Sequence, residues 1–387
     1  MPTDRRDHDI VLLGATGFTG ALTAQQLARH ADEGTRWALA GRNRGKLEAL
    51  RDRLGVDVPL LYADVTDEGS LRDLAASARV VTTTVGPYLH YGAPLVAACA
   101  REGTDYTDLA GEPEFVDRMY VAHHAEAQRT GARLVHACGF DSIPPDLGVL
   151  LTVQQLPEGV PLNVRGYVRA SGAASGGTFH SAMTGFSRLR QNMEAAKARR
   201  QAEERRPGGR RVRGIRRGPL REESLGAWAV PLPTIDPQIV LRSARALERY
   251  GLDFSYGHFA AVKRLPIAVG GVAAMGALFA AAQVPPARKL LMDRLQPGQG
   301  PSEDKRAKGW FKVRLIGEGG GQRVVTEVSG GDPGYGETAK MLSQAALCLA
   351  RDDLPQTAGQ VTTAQAMGDA LIARLRAAGI AFDVLER

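Results

Sequence analysis

Residues 10–20, IVLLGATGFTG, read together with residues 37–43, WALAGRN, decide the fold. An apolar run from Ile10 to Leu13 breaks into Gly14-Ala15-Thr16-Gly17-Phe18-Thr19-Gly20, and a helical pattern follows to about residue 29. Strand, glycine turn and helix in that order leave backbone N–H groups facing outward at a helix N-terminus. Orphan donors and the helix dipole both favour negative charge there. The loop therefore suits a pyrophosphate, with Gly14, Thr16, Gly17, Phe18 and Gly20 as its contacts. The glycines follow a GxxGxxG spacing instead of GxGxxG, which predicts one more residue in the turn than the dinucleotide fingerprint has.

The second strand specifies which dinucleotide. After WALA the chain reaches Gly41-Arg42-Asn43-Arg44. This is the position where an acidic residue would take the ribose 2′-hydroxyl of NAD and an arginine would accommodate the 2′-phosphate of NADP. Residues 37–47 contain no Asp or Glu, whereas Arg42, Arg44 and Lys46 crowd the loop. NADP(H) is the expected cofactor, with Arg42, Asn43 and Lys46 at its phosphate end; a solvated basic loop is the bland alternative.

From residue 9 to about 150 the pattern alternates. Apolar runs at 10–13, 37–40, 58–62, 80–85 and 134–137 are separated by stretches of helix length, which predicts a doubly wound parallel sheet. Ligands of such sheets sit outside the carboxyl ends of the strands. That places Asp64, Gly86-Pro87 and the loop 139–142 beside the glycine turn. Asp64 could accept from an adenine amino group or serve as a turn carboxylate. Gly86-Pro87 offers a close backbone approach with a fixed φ, which suits the nicotinamide ribose. GPYLHYG (86–92) supplies Tyr88 and Tyr91, and GFDSIPPD (139–146) supplies Asp141. Tyr88, Tyr91 and Asp141 are the candidate proton donors. A stiff turn with Asp141 bonded to its own backbone is the alternative for the second loop.

The chain has 387 residues, 44% hydrophobic and 24% charged, enough for at least two packed cores. The start, MPTDRRDHDI, has charges but no apolar stretch of signal-peptide type, and the three cysteines match no metal or redox spacing. A cytoplasmic protein without a metal site is expected. The net charge of +7 is concentrated: residues 188–221 hold thirteen Lys/Arg against three Glu, which leaves the remainder at −3. The basicity therefore does not mark the whole protein as a nucleic-acid binder. The basic run reads as solvated surface, or as a dock for an acidic acyl carrier protein or an anionic membrane.

LLGATGFTG (12–20), LAGRN (39–43), VGPYLHYGAPLVAACAREGTDYTDLAGE (85–112) and GFDSIPPDLG (139–148) together resemble the saccharopine dehydrogenase-like oxidoreductases. Residues 301–317, PSEDKRAKGWFKVRLIG, and 361–382 resemble the trans-acting enoyl reductases within that group. The resemblance spans nearly the whole chain. It implies an NADP-binding Rossmann-type domain with a second α+β domain, and reduction of an α,β-unsaturated acyl thioester in lipid or polyketide assembly. It also admits C=N or carbonyl chemistry on an amino-acid-like substrate, for which Arg165 or Arg169 could hold carboxylates. A catalytically silent NADP-binding membrane or scaffold protein is the third reading.

Beyond residue 150 the rhythm changes. Three units are expected: the nucleotide-binding domain at 1–150, an α+β substrate or dimerisation domain at 151–335, and C-terminal helices at 336–387 packing back near the first. Residues 162–170 alternate as a strand; SGAASGGT (171–178) resembles the family's substrate-side loop and leads into a helix over 179–205 with Thr178 as a possible cap. Residues 265–287 carry no charge. Leu265, Val269, Val272, Met275 and Phe279 form a helical stripe suited to a core, a homodimer interface, a bilayer surface at the inner face of the plasma membrane, or a span. Residues 297–307 read as a loop, 312–317 and 323–329 as paired strands, 336–351 and 363–378 as helices, and 382–385 as a last strand.

Overall fold

The computed structural model describes residues 6–171, 176–203, 209–215, 219–294 and 302–387. In chain order the strands are β1 (His8–Leu13), β2 (Trp37–Gly41), β3 (Leu60–Tyr62), β4 (Ala78–Thr83), β5 (Asp105–Thr107) and β6 (Arg133–Val135). They continue with β7 (Leu162–Ser171), β8 (Arg211–Gly214), β9 (Leu220–Glu222), β10 (Ala227–Pro231) and β11 (Asp253–Val262). The last are β12 (Trp310–Gly319), β13 (Gln322–Gly330), β14 (Gly359–Val361) and β15 (Ala381–Glu386).

The first sheet has seven strands in the order β14-β6-β5-β4-β1-β2-β3, and every neighbouring pair is parallel. β1 and β2 are buried almost throughout, as strands covered by helices on both faces must be. The direction of winding reverses between β1 and β4, so the loops after these two strands open onto one crevice. This bears out the doubly wound Rossmann-type reading. β5 escaped that reading because its sequence, Asp-Tyr-Thr, is polar. It is buried because Asp105 accepts from the backbone N–H and the Nε of Arg133 on β6, at 2.8 and 2.9 Å.

The second sheet runs β15-β13-β12-β7-β11-β10-β9, with β8 beside β11. β12 and β13 form the hairpin that the alternation predicts. Gly320 and Gly321 turn it with φ of +58° and +78°, the left-handed pair that a two-residue hairpin turn requires. Helix Ile143–Gln154 packs on this hairpin and is buried along nearly its whole length. Pro144 and Pro145 fall in its first turn, where a missing N–H costs nothing. The buried Asp146 accepts from Ser243 Oγ at 2.5 Å, Thr363 Oγ1 at 2.6 Å and Ala364 N at 2.9 Å. It thereby ties helix Ile143–Gln154 to helices Asp236–Ala246 and Thr363–Ala366.

The chain after residue 336 serves both sheets. Helix Gly336–Arg351 lies against helix Phe18–His30 and β4, β14 extends the first sheet, and β15 closes an edge of the second. The expected helix over 363–378 is two, Thr363–Ala366 and Gly368–Ala377, broken where Gly368 takes φ +46°. The expected helix over 179–205 likewise divides at Arg188 into Gly176–Ser187 and Leu189–Ala202. Thr178 therefore sits inside the first turn instead of capping it. Residues 172–175 of the small-residue loop, 204–208 and 216–218 of the basic run, and 297–301 lie outside the described residues.

Two long segments bear on the expectations. In the basic run Arg190, Lys197, Arg200, Arg211, Arg213 and Arg221 are exposed, as a solvated surface requires. Other arginines of the run are paired within the molecule. Arg188 makes two 2.7 Å bonds to Glu114, Arg199 meets Asp117 at 2.6 Å, and Arg210 donates to Leu247 O at 2.7 Å. The uncharged segment forms helix Leu265–Gln283, and within it only Ala268 and Ala282 are buried. None of Leu265, Val269, Val272, Met275 and Phe279 is buried, so the helix is no core element of this chain.

Candidate active site

The glycine turn is held to both neighbouring strands. Gly14 N donates to Ala40 O on β2 at 3.0 Å, and Thr84, just after β4, donates its hydroxyl to Gly14 O at 3.2 Å. Gly14 has φ +85°, a conformation that disfavours side chains. Gly17 is the N-cap of helix Phe18–His30, which has no side-chain cap and no acidic residue in its first turn. Its leading N–H groups are thus left for an external anion. They face a cavity of about 890 Å³ lined by Gly14, Thr16, Gly17, Phe18 and Gly20 on this side. Gly86, Pro87, Tyr88, Tyr91, Gly139, Phe140, Asp141, Tyr335 and Thr338 line the other walls. A volume of that size lies in the upper part of the range for small-molecule sites.

At the far end of the glycine turn the cavity is lined by Arg42, Ala63, Val65 and Thr66. Arg42 is largely exposed and approaches Asp64 Oδ2 at 3.9 Å. Three residues expected here lie outside the lining. Asn43 spends its side chain as N-cap of helix Arg44–Leu54, accepting from Lys46 N at 3.0 Å, and Lys46 projects into solvent from that helix. Asp64 accepts from Thr66 N at 2.9 Å and Thr66 Oγ1 at 2.8 Å, the turn-carboxylate alternative. Those two bonds, with Arg42 nearby, hold its carboxyl below the usual range. Of the residues expected at the phosphate end, Arg42 alone lines the cavity. Arg42→Ala should weaken NADPH binding by roughly 10- to 100-fold while leaving NADH binding within about twofold, the loss of one charge-assisted contact. Parallel fluorescence titrations with the two nucleotides test this, and equal losses for both would remove Arg42 from the phosphate.

At the opposite end the structure separates the three candidate donors. The buried Tyr88 donates to Thr83 O at 3.1 Å and accepts from Leu109 N at 3.1 Å. Burial also pushes its phenol well above the ordinary range. Its hydroxyl is committed to holding two loops, which argues against Tyr88 as the donor. Tyr91 is 44% exposed and lines the cavity. Asp141 is half-buried at the cavity wall, and its carboxyl is pushed up to about 7, first by burial and then by the charge of Asp236. Behind it, Asp236 is also raised to about 7 by burial, and His258 Nε2 lies 3.6 Å from Asp236 Oδ2. Asp108 sets the intervening backbone by accepting from Ala110 N at 2.9 Å and Ala137 N at 2.8 Å, with His136 Nδ1 at 2.7 Å.

Residues 10–135 match the family model described as the saccharopine dehydrogenase NADP binding domain. A Mycobacterium tuberculosis protein is 39% identical over 98% of both chains. Relatives from Mycobacterium ulcerans and Mycobacterium tuberculosis, both named trans-acting enoyl reductase, are 37% identical over 98% of each chain. The chain belongs to the trans-acting enoyl reductase family of saccharopine dehydrogenase-like oxidoreductases. Saccharopine dehydrogenase (L-Glu forming) from Saccharomyces cerevisiae shares the fold, with a TM-score of 0.55 at 13% identity over 98% of this chain and 100% of its own.

Membership in this family, with the NADP-binding domain, makes the chain an NADP(H)-dependent oxidoreductase. The glycine turn fits the cofactor: Gly20 packs so tightly on Gly14 that any side chain there would fill the turn. Sequence reasoning missed one wall of this reductase's cavity. Tyr335 meets the Phe18 ring edge-on at 4.9 Å, and Arg306 lies 5.4 Å above the same ring. Thr338 Oγ1 accepts from Phe140 N at 3.1 Å and donates to Pro333 O at 2.8 Å, fixing the loop that carries Asp141. Its only sequence signal is the turn DPGYG (332–336) directly after β13.

Proposed function

We propose that this protein reduces the α,β-double bond of an acyl thioester, presented by an acyl carrier protein or a polyketide synthase, in lipid or polyketide assembly. Full-length similarity to proteins named trans-acting enoyl reductase carries this reading. Bound NADPH supplies a hydride for the β-carbon. The chain must stabilise charge on the thioester oxygen as an enolate forms, and deliver a proton to the α-carbon. Asp141, poised near neutrality, and Tyr91 are the groups on the cavity wall suited to that delivery.

The imine or carbonyl alternative requires cations to hold substrate carboxylates. Arg165 bonds Glu318 at 2.6 Å and Glu222 at 3.4 Å, and Arg169 lies 5.8 Å over the Trp310 ring. Neither lines the cavity, and Arg42 is the one cationic side chain among the described residues that do. That wall favours an apolar acyl group. With 4-deuterated NADPH and a panel of enoyl thioesters and imines, deuterium should appear at the β-carbon of a saturated thioester. Label in an amine or alcohol product would transfer the assignment to the alternative, and label in nothing would leave an NADP-binding protein without this activity.

A further inference from the structure

Helix Leu265–Gln283 is long and apolar enough to cross a membrane, yet only 11% of its apolar window is buried. Its 19 residues extend about 28 Å. Every residue from Val269 to Ala277 is exposed, so the middle of the helix stands clear of the protein on all sides. It follows β11 directly and is succeeded by helix Pro285–Arg294, and its two buried residues, Ala268 and Ala282, lie near its two ends. One side rests on helix Gly176–Ser187, where Gln283 Nε2 donates to Phe186 O at 2.6 Å and the Phe186 and Phe279 rings meet at 5.8 Å. The two buried residues are small, Ala268 and Ala282; Met275 and Phe279 on their face are 38% exposed, and Ile267 and Val269 on opposite flanks are 60% and 58% exposed. Leu290 on the next helix extends the same character at 60%. A soluble surface rarely carries so continuous an apolar face unless something covers it.

The charges around the face identify what covers it. Lys263 and Arg264 precede the helix, Arg288 and Lys289 follow it, and no Asp or Glu occurs between Asp253 and Asp293. A second copy of the chain is a poor occupant. Pairing two such helices in either direction brings one basic end against another, with no acidic residue along the segment to compensate. An anionic lipid surface is complementary in both respects, since it takes apolar side chains below its headgroups and lysine and arginine among them.

We propose that helix Leu265–Gln283 is a membrane anchor that enters an anionic bilayer, its apolar side chains immersed on all sides, Ile267 and Val269 foremost among them, and the four flanking basic residues at the headgroups. The face is separate from the NADP(H) cavity, so its test does not depend on the reaction assigned above.

The full-length protein should be sedimented with vesicles of phosphatidylcholine alone and with vesicles containing phosphatidylglycerol. Binding is expected to be at least about tenfold stronger to the anionic vesicles and to fall in high salt. Ile267→Glu with Val269→Glu should abolish sedimentation while NADPH binding and the thermal midpoint stay at parental values, because both side chains already face solvent. Lys263→Glu with Arg264→Glu should weaken anionic-vesicle binding by roughly fivefold or more for each residue changed. Equal sedimentation of parent and the Ile267→Glu, Val269→Glu variant would overturn the proposal. So would a lipid-free dimer in light scattering that only this variant loses, since the face would then be covered by a second copy.

Discussion

Gly20→Ala is expected to lower NADPH affinity by at least about 100-fold and to lower the thermal midpoint of the cofactor-free protein, the cost of a contact that rigid backbone cannot absorb. A Cβ at this position would lie 2.1 Å from Gly14 O and 2.9 Å from both Gly14 C and Thr84 Oγ1. Gly14 O cannot simply retreat, because it accepts from Gly17 N at 3.1 Å and from Thr84 Oγ1 at 3.2 Å. The added methyl must therefore push the N-terminus of helix Phe18–His30 away from the turn. Hydrogen bonds weaken steeply as donors move out of range, so the pyrophosphate loses its partners together. Gly17→Ala provides the control. There the nearest atom to the new Cβ is Gly14 O at 3.4 Å, and the backbone, at φ −72° and ψ 166°, suits any residue. That variant should unfold within about 0.5 kcal/mol of the parent, so an affinity loss in it reports the closeness of the phosphate itself. Parental NADPH affinity in Gly20→Ala would place the cofactor elsewhere.

The part of the molecule legible in the sequence is the part governed by local rules. β1, β2 and β4 are apolar runs because parallel strands are buried on both faces, and their alternation with helices marks a doubly wound sheet. The phosphate turn is legible for the same reason, since glycine spacing is a backbone property. Side-chain direction is not. The spacing rule brings Arg42, Asn43, Lys46 and Asp64 to one neighbourhood, but capping and turn bonds draw Asn43 and Asp64 back onto their own backbone. Only Arg42 of these four reaches the cavity lining. The wall at Tyr335 and Thr338 was illegible because it depends on chain returning from beyond the second sheet to touch Phe18 and Phe140. The stripe from Leu265 to Phe279 was read at the correct period, yet period alone cannot tell which face of an all-apolar helix meets the protein.

Asp141→Asn is expected to lower turnover of an enoyl thioester by about 100- to 10,000-fold, the usual contribution of a positioned general acid, and to remove the alkaline limb of the pH–rate profile. Asp141 lines the cavity with its carboxyl pushed up to about 7, first by burial and second by the charge of Asp236. Asp236 is pushed to about 7 by burial, against the opposing bond from Thr234. His258, 3.6 Å from Asp236, offers no compensating charge at neutral pH, because burial lowers it to about 3. The charge of Asp236 therefore adds to burial in keeping the Asp141 carboxyl protonated. A donor must hold its proton, so parental turnover should be full below about pH 7 and decline above it. Asp236→Asn tests the coupling with the opposite signature. Without the neighbouring negative charge the Asp141 carboxyl becomes more acidic, so the limb should move to lower pH while the maximal rate survives. A carboxyl that only shaped the loop would leave the limb where it was in both variants. Parental turnover and an intact limb in Asp141→Asn, with a collapse in Tyr91→Phe, would move the proton to the tyrosine. Loss in both would mean that the two groups act in series, with Asp141 holding the proton and the more exposed Tyr91 passing it to the α-carbon.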